Sequence, residues 1–339
     1  MMFQPRSSRT LVFLASLVVV LGLIASPAAA QYKITNLVSN QAGKAKHQDT
    51  NLINAWGLSF ASGGPIWISD EATGLSTFYT GKGVGVGKVT IPGAGGKQGT
   101  PTGQVYNSSQ DFVVKGWAAT FLFDGLDGTI TGWSSFLGSN AAIAIDNSGS
   151  GASYTGLAIG QSNGANFIYA ANNAANKVEI YDGKFNAAGS FTDSNLTGMS
   201  VYNVQNLNGQ LYVAFVDSSF SKGAVDIFDT AGNFIKNLTK DSHLKAPWGL
   251  ALAPKNFGPA SNAVLVGNLG DGTINAFNAK TGKFMTQLKG TNKKVISING
   301  LWGLAFGQGG GQNGKSNQLF FTAGPNGYAD GLFGVINFK

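Results

Sequence analysis

Short apolar runs separated by turn residues dominate this sequence, and the stretch from residue 246 to 288 shows the pattern most clearly. It holds four apolar runs, at 246–253, 262–268, 273–277 and 283–288. Runs of this length, bounded by Gly, Asn, Asp and Pro, are typical of β-strands joined by tight turns. The stretch therefore predicts one antiparallel unit of four strands.

A short signature at the start of this unit recurs along the chain. Successive copies are separated by 46, 53, 47, 46 and 54 residues when counted from their central residues, which are Gly57, Gly103, Gly156, Asn203, Gly249 and Gly303. A period of this size that contains four strands is typical of a β-propeller. The sequence predicts an all-β fold, a six-bladed β-propeller of four-stranded antiparallel blades.

The apolar pattern also predicts where each strand lies within its blade. The second strand of each unit is almost continuously apolar, as in 211–215, which indicates burial on both faces. The third strand alternates, as in 178–181, so we expect it to be half exposed. The repeated Gly suits a first strand whose backbone closely approaches its neighbour. The Trp of each Trp-Gly-Leu copy suits apolar packing between blades, and a stacking platform for sugar is the functional alternative.

The sixth unit contains only three strands before the chain stops. A spare strand lies at 32–38, where apolar and polar residues precede the first blade. We expect this strand to pair as the outer strand of the sixth blade, because that pairing closes the ring and covers an exposed sheet edge.

The first thirty residues have the features of a secretory signal peptide. Arg6 and Arg9 precede an apolar stretch at 11–24, and small residues at 28–30 suit cleavage before Gln31. The apolar stretch is shorter than the roughly 20 residues that span a bilayer. We therefore expect a signal peptide at 1–30, a single propeller domain at 31–339, and an exported monomer, periplasmic or extracellular, without a membrane span after cleavage.

Composition narrows the possible activities. The chain of 339 residues has no Cys and only two His, His47 and His243, with a net charge of +7. Disulfides and thiol chemistry are thereby excluded, and a serine triad or a His-rich zinc site is disfavoured. The Lys residues are scattered rather than gathered in a stripe, so we expect no nucleic-acid partner. Residues 309–316 fit the phosphate-loop pattern, but an apolar strand follows instead of a helix, which favours a hairpin loop.

Oxygen-bearing side chains gather on one predicted face. In a four-stranded blade, the segment leading into strand one and the turn between strands two and three lie on the same face. The candidate binding rim on that face consists of His47, Asp49, Asn54, Asp70, Glu71, Asn172, Asp217, Asn268, Asp271 and Asp330. Asp49, Asp70 and Asp271 are the candidate ligands for a Ca²⁺ ion, which prefers oxygen donors. The simpler interpretation is that Asn and Asp make the turns.

Segments 48–58, 204–207, 246–254, 265–272 and 300–307 resemble an uncharacterised family of exported, largely bacterial propeller proteins. The repeats are also similar to the NHL type of six-bladed propeller. This resemblance implies the fold and export, and the family has no established activity to transfer. We expect a non-enzymatic binding or scaffold module that uses the rim to hold a protein, a glycan or a small molecule. The alternative is a Ca²⁺-dependent hydrolase similar to the six-bladed lactonases, with its site at the central axis.

Overall fold

The computed structural model describes residues 1–4 and 31–339, and strands between residues 32 and 338 form six antiparallel blades around an axis. The prediction of a six-bladed β-propeller is confirmed. The predicted signal peptide, residues 1–30, falls almost entirely on residues outside the described range. Within the described range, no helix has both the length and the hydropathy that a membrane crossing requires.

The strands of each blade follow one another along the chain from the axis outward. Blades 1 to 3 contain the strands Ala55–Phe60, Ile66–Asp70, Leu75–Tyr79 and Gly85–Thr90; Pro101–Tyr106, Phe121–Gly125, Thr129–Trp133 and Ala142–Asp146; and Tyr154–Ser162, Ala165–Asn172, Lys177–Asp182 and Ala187–Phe191. Blade 2 also carries an inserted hairpin between its first two strands, formed by Val113–Val114 and Trp117–Ala118.

Blades 4 and 5 follow the same plan, and blade 6 draws strands from both ends of the chain. Their strands are Met199–Leu207, Gln210–Asp217, Gly223–Phe228 and Phe234–Thr239; Pro247–Leu252, Ala263–Asn268, Ile274–Asn278 and Phe284–Gln287; and Leu301–Phe306, Gln318–Ala323, Leu332–Phe338, Tyr32–Ser39 and His47–Gln48. Short 3-10 helices occupy Glu71–Thr73, Ala94–Gly96, Ser135–Leu137, Ser148–Ser150 and Gly258–Ala260. The connection at 307–317 joins two strands of blade 6, so the prediction that 309–316 is a hairpin loop is confirmed.

The N-terminal strand closes the ring, as the sequence predicts. Tyr32–Ser39 pairs antiparallel with Leu332–Phe338 as the outer strand of blade 6, and His47–Gln48 adds a short parallel pairing beyond it. The Tyr32 hydroxyl donates a hydrogen bond of 2.8 Å to the carbonyl oxygen of Phe257 in blade 5. One strand therefore connects the last blade to its neighbour and covers a sheet edge that would otherwise be open.

A β-bulge interrupts the register of every first strand beside the repeated Gly or Asn. A Cβ atom on Gly249 would lie 2.6 Å from the carbonyl oxygen of Trp302, which real structures do not tolerate. The predicted close approach of backbones is thereby confirmed. Buried side chains accept the amides that the bulge frees: Gly103 donates to Asp124 Oδ1 at 2.6 Å, and Gly303 donates to Thr322 Oγ1 at 2.9 Å.

The third strands are mostly buried, so the expectation that they are half exposed is wrong. All six residues of Gly223–Phe228 are buried, whereas four of the five in the fourth strand Ala187–Phe191 are exposed. Neighbouring blades pack face to face, and each blade is wide enough for this packing to cover the third strand as well. The alternating pattern of the third strand therefore corresponds to two faces that both contact protein. Most solvent-exposed strand positions lie in the fourth strand.

Candidate functional site

Aromatic side chains from four blades meet at one end of the axis. The residue before the repeated Gly or Asn is aromatic in blades 1, 4, 5 and 6, where it is Trp56, Tyr202, Trp248 and Trp302. The rings of Trp56 and Trp302 stack with centroids 3.5 Å apart, and Trp248 presents its edge to both at 5.9 and 5.8 Å. These tryptophans pack apolar area between blades, as expected, and they do so as a single cluster at the axis.

Local backbone geometry places these rings. Two residues before each Trp, the backbone is left-handed, with φ of 48° at Asn54, 48° at Ala246 and 68° at Gly300. The bulge follows directly, and bulges redirect the side chains beside them. In this conformation Ala246 carries steric strain of the order of 1 kcal/mol. The recurrence of the same geometry in three blades shows that the direction of the tryptophans is built into the repeat.

A short chain of hydrogen bonds runs from Trp302 to a carboxylate. The indole Nε1 of Trp302 donates to Asn54 Oδ1 at 3.0 Å, and Asn54 Nδ2 donates to Glu71 Oε2 at 2.7 Å. Asn54 is buried and Glu71 is half-buried. An anionic group therefore lies beside the aromatic cluster, and Asn54 fixes its position relative to the indole.

The other two indole nitrogens differ in how they are satisfied. Trp248 Nε1 donates across the axis to the carbonyl oxygen of Thr155 in blade 3, at 2.8 Å. Trp56 Nε1 is buried and has no hydrogen-bond partner among the described residues. A buried donor without a partner is uncommon in proteins and points to water or a ligand group as its acceptor.

Two exposed aromatic residues stand over this cluster on the loops between strands two and three. Phe220 of blade 4 is 47% exposed and lies 5.6 Å from the ring of Tyr202, while Tyr328 of blade 6 is 45% exposed and lies 5.7 Å from Trp302. Burial raises the pKa values of the Tyr202 and Tyr328 hydroxyls, so both are neutral donors. We name this assembly the axial mouth; it consists of Trp56, Tyr202, Phe220, Trp248, Trp302 and Tyr328.

Three residues of the candidate rim hold their own turns. Asn172 Oδ1 accepts the amide of Ala175 at 3.1 Å, and Asp271 Oδ1 accepts the amide of Thr273 at 3.0 Å. Asp217 Oδ1 accepts two amides of its own loop, and its hydrogen bonds, first of all that from Ser219, lower its pKa to about 2. For these three the turn-making interpretation describes the geometry.

Three further rim residues lie in the seam between blades 6 and 1. His47 is exposed on the short strand at the edge of blade 6. Asp330 Oδ1 accepts from Asn40 Nδ2 at 3.0 Å, and Asp49 Oδ2 accepts from the Tyr79 hydroxyl at 2.9 Å. These contacts tie the N-terminal segment to its neighbours and do not reach the axial mouth.

Asp70 and Asn268 are fully buried at the ends of second strands. Asp70 Oδ2 accepts the amide of Thr77 at 3.0 Å, and burial raises the Asp70 pKa well above its usual value. Asn268 Nδ2 donates to the carbonyl oxygen of His243 at 2.7 Å. One side-chain oxygen of each residue has no partner among the described residues. Of the candidate rim, Asn54 and Glu71 are the residues whose side chains the hydrogen-bond chain from Trp302 links to the axial mouth.

The structure does not bring the three candidate Ca²⁺ ligands together. Asp49 and Asp70 belong to the region of blade 1, whereas Asp271 lies in blade 5, where its Oδ2 is 3.7 Å from Lys245 Nζ. Across residues 1–4 and 31–339, no three His, Asp or Glu side chains are grouped so that they would hold a metal ion.

The candidate rim included none of the aromatic residues of the axial mouth, although the Trp of the repeated signature had a stacking platform for sugar as its alternative role. Tyr202 was detectable, because it occupies the position of Trp in the repeated signature. Phe220 and Tyr328 lie in irregular loops, and no sequence pattern marks them. Neither His belongs to the mouth: His47 lies at the rim of blade 6, and the His243 ring stacks on Phe284 of an outer strand at 3.9 Å.

Comparisons with known proteins support the fold and leave the activity open. No family model matches the chain. An uncharacterised protein of Acanthamoeba polyphaga mimivirus is 27% identical over 334 residues, covering 91% of this chain and 81% of that protein. A second uncharacterised mimivirus protein is 30% identical over 263 residues, or 70% of this chain and only 48% of that longer protein.

Solved structures with the same architecture include several enzymes. Virginiamycin B lyase from Staphylococcus aureus matches with a TM-score of 0.55 and 12% identity, over 91% of this chain and 99% of that one. A glucose dehydrogenase matches with a TM-score of 0.57 and 10% identity, over 89% and 98% of the two chains. At these identities the similarity concerns the propeller fold alone.

Proposed function

We propose that this protein is an exported binding module that holds a small organic ligand at the axial mouth. The observation that carries the proposal is the pair of exposed aromatic rings, Phe220 and Tyr328, over a cluster of buried ones. Ligand sites commonly combine exposed aromatic side chains with a nearby hydrogen-bonding group. The mouth of a closed ring is also where six loops converge.

The backbone at these two residues argues for a role beyond packing. Both are left-handed, with φ of 56° at Phe220 and 71° at Tyr328. Bulky residues in this region carry strain of about 1 kcal/mol or more, and such strain gathers at ligand sites. A loop that served only as a connection would accommodate Gly at these positions without strain.

The chemistry of the mouth favours a ligand with a flat ring and a donor group. The aromatic floor offers a stacking surface for the ring. Glu71, fixed by Asn54, offers carboxylate oxygen to an N–H, an O–H or a cationic group. The unpaired Nε1 of Trp56 provides a further donor within the same cluster.

We rank binding above Ca²⁺-dependent hydrolysis because the candidate metal ligands are not grouped around one point. A Ca²⁺-dependent hydrolase needs several oxygen ligands around one point, together with a base. The carboxylates that the sequence offered for this task, Asp49, Asp70 and Asp271, are spread over two blades and hold other groups. Because enzymes with this fold are known, the experiment below also tests for Ca²⁺-dependent hydrolysis.

Ligand-observed NMR with a panel of aryl amines, cyclic esters and aromatic carboxamides tests the proposal. We expect some members to receive saturation from the wild-type protein and to lose it in the double variant Phe220→Ala/Tyr328→Ala. Phe234→Ala is the matched control, because Phe234 is 50% exposed on the outer strand of blade 4. Equal signals from the double variant and the control would overturn the proposal. Turnover of a cyclic ester that requires Ca²⁺ and stops with a chelator would replace it with the hydrolase.

A further inference from the structure

Blade 2 carries a feature that the other blades lack, on the face opposite the axial mouth. Its first two strands are joined by residues 107–120, which include the hairpin of Val113–Val114 and Trp117–Ala118. Blades 3 and 4 make the same connection with two residues each. First strands run away from the mouth, so these connections lie at the other end of the axis.

Two exposed aromatic rings stack at this hairpin. The rings of Trp117 and Phe136 are nearly parallel, with centroids 3.9 Å apart. Trp117 is 46% exposed and Phe136 is 67% exposed, so each ring keeps an outer face in solvent. The remaining Trp side chains are buried or half-buried. Leaving a ring pair of this size in water forgoes the free energy that burial would give, which marks the patch as a contact surface.

Beside the ring pair lies a hollow whose loop is fixed by hydrogen bonds and whose lining includes polar side chains without a hydrogen-bond partner in the described part of the chain. Asn107 Nδ2 donates to the carbonyl oxygens of Asp111 and Ala119 at 3.1 and 2.8 Å, and Asn107 Oδ1 accepts the amide of Ser109 at 2.9 Å. These bonds fix the loop. The lining side chains of Ser108, Gln110, Thr120 and Ser135 make no hydrogen bond to any described residue.

The lining of the hollow contains no charged side chain. A second hollow opens at the adjoining end of the axis, where Gln205 and Gln308 stand among apolar side chains such as Phe60 and Ile159, and Tyr106 borders both hollows. Neither lining includes Lys, Arg, His, Asp or Glu. A surface of amides, hydroxyls and aromatic faces suits a ligand that is uncharged, rich in hydroxyl groups and apolar on one side of its rings.

We propose that this surface of blade 2 binds a neutral saccharide. A pyranose ring offers its C–H face to Trp117 or Phe136, and its hydroxyls bond to the free side chains of Ser108, Gln110 and Ser135. Further sugar units extend past Tyr106 toward the glutamines at the axis. The site is independent of the axial mouth, which lies on the other face.

Calorimetry with neutral tetrasaccharides tests the proposal. The probes are maltotetraose, cellotetraose, mannotetraose and chitotetraose, with tetragalacturonic acid as the charged comparator, and Trp fluorescence gives a second readout. We expect at least one neutral probe to bind, and Trp117→Ala and Phe136→Ala each to weaken it by about tenfold or more. Gln110→Ala should weaken it as well. Phe234→Ala and the double variant Phe220→Ala/Tyr328→Ala should bind as the wild type does.

Three results would overturn the saccharide site. They are the absence of heat with all four neutral probes up to about 10 mM, wild-type affinity in both aromatic variants, or tighter binding of the charged comparator than of any neutral probe. Circular dichroism establishes whether each variant is folded. If Trp117→Ala does not fold, the affinity of Phe136→Ala tests the site. Loss of binding in the mouth double variant alone would place the saccharide at the axial mouth instead.

Discussion

Trp302 Nε1 donates a hydrogen bond of 3.0 Å to Oδ1 of Asn54, which joins the first strand of the last blade to the segment that leads into the first blade. Both groups are buried. The bond spans 248 residues of chain and lies at the seam where the ring closes. Because the same Asn holds Glu71, the seam and the axial mouth depend on one side chain.

Removing that side chain should destabilise the ring. In Asn54→Gly the left-handed backbone, with φ of 48°, remains unstrained, but the indole N–H of Trp302 loses its acceptor. A buried donor left unpaired costs about 1–3 kcal/mol, which guanidinium unfolding at equilibrium measures. Asn163→Gly is the matched control, since Asn163 has φ of 49° in an exposed turn. Equal losses in the two variants would contradict the role of the hydrogen bond.

The repeated Gly should not tolerate a methyl group. In Gly249→Ala the new Cβ would lie 2.6 Å from the Trp302 carbonyl oxygen and 2.9 Å from Leu304 Cγ, so the first strands must separate. Overpacking of this kind costs about 1–3 kcal/mol. Gly149→Ala is the control, because a Cβ there meets nothing within 4 Å. A melting temperature for Gly249→Ala equal to that of the control would show that the blades are not in close contact there.

Asp124 should make the stability of the protein fall between about pH 4 and pH 7. Burial raises the Asp124 pKa to about 7, against a usual value of 3.8. Its Oδ1 accepts from Gly103 and Thr102, but Oδ2 has no partner among the described residues. The folded state therefore keeps a proton that the unfolded state has lost. Stability from this group is complete below about pH 4 and is lost as the pH rises through 7, by up to about 4 kcal/mol.

Asp124→Asn is the variant that tests this dependence. It keeps an acceptor for Gly103 and removes the titrating group, so the slope of unfolding free energy between pH 4 and 7 should become shallower. Asp217→Asn is the control, because Asp217 is exposed and hydrogen bonds lower its pKa to about 2. Asp217 therefore acts only in acid, below the range in question. An unchanged slope in Asp124→Asn would refute the assignment.

The N-terminal strand should be essential to the stability of the whole ring. Tyr32, Leu37 and Val38 are at most 2% exposed, and a chain that begins at Asn40 lacks all three. Loss of several buried side chains and of the edge pairing should lower the melting temperature by more than about 10 °C. Lys33→Ala, on the exposed side of the same strand, should melt like the intact protein. A truncated chain that melts within roughly 2 °C of the intact one would contradict closure by this strand.

The sequence predicted the propeller because repetition carries much more information than any single strand. Six copies of one signature fixed the number of blades, and the three-stranded last unit identified Tyr32–Ser39 as the closing strand. The candidate site was predicted less well. Chain connectivity places rim residues such as Asp217 and Glu71 on one face, but it does not say whether a side chain turns inward or holds its own loop.

The sequence by itself determined the fold and the close approach at Gly249, and for Asn172, Asp217 and Asp271 it left both the turn-making and the binding interpretation open. The fold and the close approach depend on contacts local in sequence or repeated by the period. Only the tertiary structure decided that Trp56, Tyr202, Trp248 and Trp302 meet one another, since each comes from a different blade. It likewise decided that Asp49, Asp70 and Asp271 do not meet. Ring closure brings distant residues together at the axis, and the resulting distances depend on bulges and left-handed turns that residue type alone does not specify.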